Sequence, residues 1–153
     1  LLRAALSWNF VLATAICASL LAQLIKVLLN LFIFHRFIAE RMWGAGGMPS
    51  SHSATVCAMV VATGRYCGVN SPLFAIAAVL SIIVMYDAMG VRYETGEQAK
   101  VLNRMFTEWM DQGFEQFQLP HGKKLKEMVG HTPIEVVTGA ALGIVLGFAM
   151  PMV

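Results

Sequence analysis

Charge is what this sequence has least of. Lys, Arg, Asp and Glu together make up 13% of its 153 residues, about half the share usual in a soluble domain. Hydrophobic residues fill 58%, so the balance points to a membrane protein rather than a soluble globule. The net charge is only +2, which leaves no basic footprint for a nucleic-acid partner. Cysteine is scarce as well. Cys17, Cys57 and Cys67 are odd in number and all lie in apolar stretches, which argues against a disulfide framework. There is no Cys-x-x-Cys, no His-Glu-x-x-His and no cluster of carboxylates, so neither a metal nor a cofactor is expected. There is no Walker loop. No A-x-A-like site follows the N-terminal apolar run, and the run is too long for a signal core, so it reads as a span.

Long apolar runs are what the chain does have. A bilayer core takes about 20 residues of helix. Candidate spans cover residues 6–34, interrupted by Lys26, then a short 53–67, then 72–91 and 133–153. Pro72 and Pro133 sit where a first helical turn tolerates proline. The expected fold is all-α: one domain over 1–153, an integral membrane bundle of about four transmembrane helices. A polar excursion, 92–131, separates the third and fourth spans. Within it Val101, Leu102, Met105, Phe106, Trp109 and Met110 recur at helical spacing, with Lys100, Arg104, Glu108 and Asp111 on the other face. That pattern is an amphipathic helix, lying on the bilayer surface or packing its stripe on the protein. Four spans place the first and third loops on one side. Those loops carry eight Lys or Arg, against Arg3 and Arg65 on the other side. The positive-inside rule puts them in the cytoplasm, and with them His52 and His131.

Four places hold chemistry-bearing residues. In "GAGGMPSSHSATV", Ser50 or Ser51 can cap a helix whose free N–H groups attract phosphate. Gly46 and Gly47 let the backbone turn tightly before it. His52 then falls in or near the first turn, either beside such an anion or incidental to a well-capped helix. In "GHTPIE", Glu135 follows His131 by four residues, so both share a helix face. The carboxylate can fix the imidazole tautomer and leave the other nitrogen free as nucleophile or base; the plainer alternative is a Glu solvated at the interface. Lys26, in "LIKVLL", either snorkels or faces a phosphate. Arg92 ends the third span and can grip an oxyanion bidentately or serve as an ordinary interfacial arginine. Asp87 can pair with Arg92 or with Lys26, or be interfacial. His35 and His121 have no spaced partner and read as solvated.

Three stretches, "GGMPSSHSA", "DAMGVR…GEQA…LN" and "LKEMVGHTPIEVVTGAALG", together resemble the divergent branch of the type 2 phosphatidic acid phosphatases. Their superfamily also includes the vanadium haloperoxidases. The resemblance implies a reduced version of that helical bundle in a bacterial plasma membrane, and the positive-inside rule puts its site on the cytoplasmic face. It implies a vanadate-sensitive, metal-independent phosphohydrolase that cleaves a lipid or isoprenoid phosphate or diphosphate monoester through phosphohistidine. The wider superfamily builds its site from K-x6-R-P, P-S-G-H and S-R-x5-H-x3-D. Carried over, His131 is the nucleophile and Glu135, standing where Asp is usual, orients it. His52 protonates the leaving alcohol, with Ser51 where Gly is usual. Lys26, Arg92, Ser50, Ser51 and Gly47 hold the phosphate. The arginine of the third motif is missing: Leu125 stands six residues before His131, so Arg92, Lys124 or Lys126 would replace it. No R-P follows Lys26, and Arg36 or Arg41 would serve there. Two rivals stand beside this reading. One is a non-catalytic membrane protein that binds a phosphate headgroup or a partner on the same scaffold. The other is a CDP-alcohol phosphatidyltransferase, because Asp87-x4-Arg92 echoes the start of D-G-x-x-A-R. The paired Asp residues of that motif are absent here, with only Glu94 and Glu97 following nearby.

Overall fold

The computed structural model describes residues 9–34, 47–112, 124–127 and 129–152. Among them there is no strand. Five helices follow one another: α1 Phe10–Phe34, α2 Ser51–Cys67, α3 Pro72–Met89, α4 Val91–Asp111 and α5 Pro133–Ala149. Two segments are long and apolar enough to cross a bilayer, Phe10–Phe32 and a window within Pro72–Asp111; α5 is apolar but shorter. The all-α membrane bundle expected from the sequence is the fold observed.

Local signals set the helix ends. Asn9 starts α1 by accepting the Leu12 N–H on its side-chain oxygen at 3.0 Å; the expected start at residue 6 lies outside the described residues. Ser50 caps α2 and Ser71 caps α3, each accepting an N–H from the third residue of its helix. These caps satisfy donors that have no partner within the helix. Gly68 closes α2 at φ 83, a left-handed conformation suited to glycine. The expected third span runs to residue 91, yet α3 ends at Met89 and the chain breaks at Gly90. The helix resumes at Val91, so Arg92 stands on the first turn of α4 rather than on the end of α3.

The packing inverts the soluble pattern. Thr14, Ala18, Ala22 and Lys26, spaced by four along α1, are all buried, as are Ala54, Ala58 and Ala62 on α2. The large apolar side chains face outward instead: Leu20, Leu24 and Phe32 on α1, Leu73, Ile76 and Ile83 on α3, Ile134, Val145 and Phe148 on α5. Large exposed apolar surface with small residues inside is how helices pack within lipid, where close approach rather than hydrophobic burial drives association. α2 is the central post, packed on α1, α3 and α5. Its seam with α5 is the tightest. Gly139, Gly143 and Gly147 face the α2 backbone so closely that a Cβ on the first two would collide with the carbonyls of Ser50 and Ala54. On Gly147 it would meet the Val61 Cβ at 2.7 Å.

α4 is longer than the stripe that announces it and faces the other way. Its inward residues are Gly96, Ala99 and Asn103, whereas Val101, Leu102, Met105 and Met110 are exposed. Among the described residues, most of the apolar stripe therefore faces away from the bundle, with Phe106 and Trp109 half-buried. Against the inward face runs a non-helical strap, residues 124–127 and 129–130, which leads to His131. The carbonyl of Glu127 lies 2.5 Å from where a Cβ on Gly96 would sit, and Gly130 touches the backbone of Arg92 and Tyr93 with no room for a side chain.

Candidate active site

The site lies where α2 and α5 begin and α3 meets α4. His131 precedes α5 because Thr132 caps that helix and Pro133 opens it. Its backbone N–H donates to the Ala88 carbonyl at 3.0 Å, which pins it to the end of α3. Its ring is 2% exposed. Nδ1 lies 3.1 Å from Glu135 Oε2, and the same oxygen accepts the Thr132 N–H at 3.0 Å. An ionised carboxylate only accepts, so Nδ1 carries the proton and Nε2 carries the lone pair. Nε2 is buried with no hydrogen-bond partner among the described residues. A buried polar atom left unpartnered costs free energy, and this one sits on a ring that lines a cleft. Glu135 thus both caps α5 and orients the imidazole.

The cleft, about 260 Å³ including its open mouth, is lined by His52, Val84, Asp87, Ala88, Arg92 and His131. The His52 and His131 rings meet edge to face, 6.2 Å between centroids at 64°. Arg92 enters from α4. Its Nε donates to Asp87 Oδ2 at 2.6 Å, which leaves the terminal guanidinium nitrogens for an oxyanion. Lys26 is buried on α1 without lining the cleft. The backbone crosses over it at Gly47, φ 88, where a Cβ would lie 3.5 Å from the Lys26 stem.

Both histidines lie at helix entrances, just outside the apolar spans. Burial pushes the His131 imidazole below its ordinary value; the Glu135 hydrogen bond and charge oppose this, and the charges of Lys26 and His52 add to it. Burial also lowers His52, helped by Arg92 and Lys26 and opposed by Asp87. An anion between the rings would reverse those charge contributions and favour a protonated His52.

A family model described as the "Divergent PAP2 family" matches residues 7–146. The chain belongs to the divergent PAP2 family. It is similar to "Uncharacterized membrane protein YuiD" of Bacillus subtilis (strain 168), 39% identical over 144 residues that cover 90% of this chain and 91% of that protein. No solved structure matches.

Within this divergent PAP2 chain the expected site residues separate into groups. His52, His131, Arg92 and Asp87 share the cleft, Glu135 stands behind His131, and Lys26 lies close enough for its charge to act on both histidines. The serine side chains serve the scaffold. Ser50 is fully buried, and its Oγ accepts both the Ser53 N–H and the Ser53 hydroxyl. The Ser51 hydroxyl accepts from Gln23 Nε2 at 3.4 Å. Neither serine lines the cleft, although each hydroxyl, accepting here, keeps its own O–H as a donor. Lys124 and Lys126 are exposed on the strap and do not line the cleft. Arg36 and Arg41 lie outside the described residues.

Three contributions escape a residue-by-residue reading of the sequence. Gln23 sits one turn before Lys26 and touches the start of α2. Asn103 ties α4 to the strap. The glycines of α5 set how close the two histidine-bearing helices come. The last left a spacing signal, Gly-x3-Gly-x3-Gly at 139, 143 and 147.

Proposed function

We propose that this protein is a metal-independent phosphohydrolase that cleaves a lipid or isoprenoid phosphate or diphosphate monoester at the membrane surface. The observation that carries the reading is the buried His131. Its Nδ1 is held by Glu135, its Nε2 is buried without a partner among the described residues, and the residue lines a cleft shared with His52 and Arg92. In the first step the Nε2 lone pair forms a bond to phosphorus while the bond from phosphorus to the leaving oxygen breaks. His52 gives its proton to the departing alkoxide. Glu135 stabilises the charge that develops on the His131 ring. In the second step neutral His52 takes a proton from water, whose oxygen attacks phosphorus. The P–N bond breaks, phosphate leaves and His131 is restored. Arg92, Lys26 and the free N–H groups at the start of α2 stabilise the oxygens throughout, the dominant requirement of phosphoryl transfer.

The large apolar residues on the outer wall leave the acyl or isoprenoid tail in the bilayer while the headgroup reaches the cleft. Four spans of the kind read from the sequence, with their basic loops inside, support a cleft that opens to the cytoplasmic face. Purified protein in EDTA is expected to release phosphate from a lipid phosphate, to be inhibited by vanadate, and to lose about 10³-fold or more of kcat in His131→Ala. Full turnover in that variant overturns the mechanism. Phosphate binding without turnover in the wild type would instead favour a headgroup-binding scaffold. Absolute dependence on a divalent ion would favour the phosphatidyltransferase.

A further inference from the structure

The strap that delivers His131 has no helix or strand to hold it, yet it is held. Asn103 is 4% exposed on the inner face of α4. Its Nδ2 donates to the Leu125 carbonyl at 2.9 Å and to Glu127 Oε1 at 2.8 Å. Its Oδ1 accepts the Leu125 N–H at 2.8 Å. The amide thus pairs with both polar groups of one peptide residue, as a neighbouring strand would, and the two-way pairing fixes which way the side chain points. Leu125 stands six residues before His131.

The path between them leaves little slack. Glu127 is drawn to Asn103 while its carbonyl rests on Gly96, and Gly130 is pressed on Arg92 and Tyr93. His131 then donates its N–H to Ala88. The other groups around the cleft come from elsewhere: His52 from α2, Arg92 from α4, Lys26 from α1. Of these groups, only His131 and its partner Glu135 follow the strap.

We propose that Asn103 is a positioning residue for His131, clamping the strap to α4 so that the imidazole stays buried at the wall of the cleft. The kinetic part of this rests on the phosphohydrolase reading; the positional part does not. Loss of the clamp lets the strap lift from α4 and water reach the His131 ring. The groups that hold the headgroup stay where they are, so the nucleophile is displaced while binding persists.

The test uses the full chain in detergent micelles, with ¹³C-labelled histidine followed by NMR and turnover measured on a lipid phosphate. Four histidines are present, each assignable by its own His→Gln variant. In Asn103→Ala the His131 titration midpoint, held low by burial and by the charges of Lys26 and His52 against the opposing Glu135, is expected to rise toward the ordinary value near 6.5. kcat should fall about tenfold or more, with KM changed less than about threefold. Asn103→Asp sets a carboxylate against Glu127 and should behave alike. Adding Glu127→Gln gives that carboxylate a donor and should restore part of both signals, whereas adding Glu127→Ala should not. The proposal is overturned if Asn103→Ala leaves the His131 midpoint and kcat at wild-type values, or if the paired change restores nothing. A wild type without turnover removes the phosphohydrolase reading, and the NMR signal then decides the clamp by itself.

Discussion

His131 is held from two sides by different physics. On one side α5 meets α2 along a seam of bare backbone, where Gly139 and Gly143 admit the carbonyls of Ser50 and Ala54 and nothing larger. The Ser50 N–H donating to the Glu135 carbonyl at 2.9 Å closes the top of that seam. On the other side α4 holds the strap through one amide and two glycine contacts. The seam is steric and spread over three helical turns. The clamp is polar and concentrated at Asn103. A steric seam sets the assembly of the bundle, because helices in lipid associate through close packing. A polar clamp sets the position of one segment on a bundle already assembled.

That contrast predicts different failures. Gly143→Leu should break the seam outright, since even a Cβ has no room there. A loss of about 3 kcal/mol or more is expected, seen as a collapsed thermal midpoint or aggregation on size exclusion in detergent. An unchanged midpoint would mean that the seam is looser than described. Gly96→Ala should strain the clamp side instead. The new Cβ presses on the Glu127 carbonyl at 2.5 Å, while alanine returns up to about 1 kcal/mol of helix propensity. Net stability should fall by no more than about 1–2 kcal/mol, yet turnover should drop severalfold. Stability lost in step with activity would erase the distinction between the two supports.

The smallest effect is a pH dependence. The folded state holds His131 below its ordinary value, so it binds fewer protons than the unfolded chain as pH falls. Stability should be level above about pH 6.5 and decline below it. The share of His131 is at most about 1.4 kcal/mol per pH unit. Denaturation midpoints between pH 8 and pH 5 for wild type and His131→Gln would measure this share. Parallel slopes would show that the imidazole titrates as freely as in an unfolded chain.

The sequence carried the pairing of His131 with Glu135 more clearly than its supports. The shared helix face expected for His131 and Glu135 is not what joins them: His131 lies outside α5, and Glu135, third residue of that helix, reaches back over the capping turn to the Thr132 N–H and the His131 ring; the cap at Ser50 placed His52 in the first turn. The serines were legible as residues but not as roles. A hydroxyl beside a helix start can face an anion or turn inward, and here Ser53 and Gln23 draw the two hydroxyls inward. Arg92 moved to a new helix because Gly90 breaks an otherwise continuous apolar run, and its pairing with Asp87 follows from that turn. Asn103 was legible only as the last residue of a family stretch and not as a role, since its partners stand 22 and 24 residues away and no local pattern links them.

The bare rail of α5 has a consequence for how such a protein can diverge. The spacing between the two histidine-bearing helices is the thickness of two backbones, a dimension no side chain can retune. The outer face of α5, with Ile134, Val137, Ile144, Val145 and Phe148 exposed, shares no such constraint. A lineage moving to a thicker or thinner bilayer can rewrite that outer wall freely while the gap between His52 and His131 stays as it is.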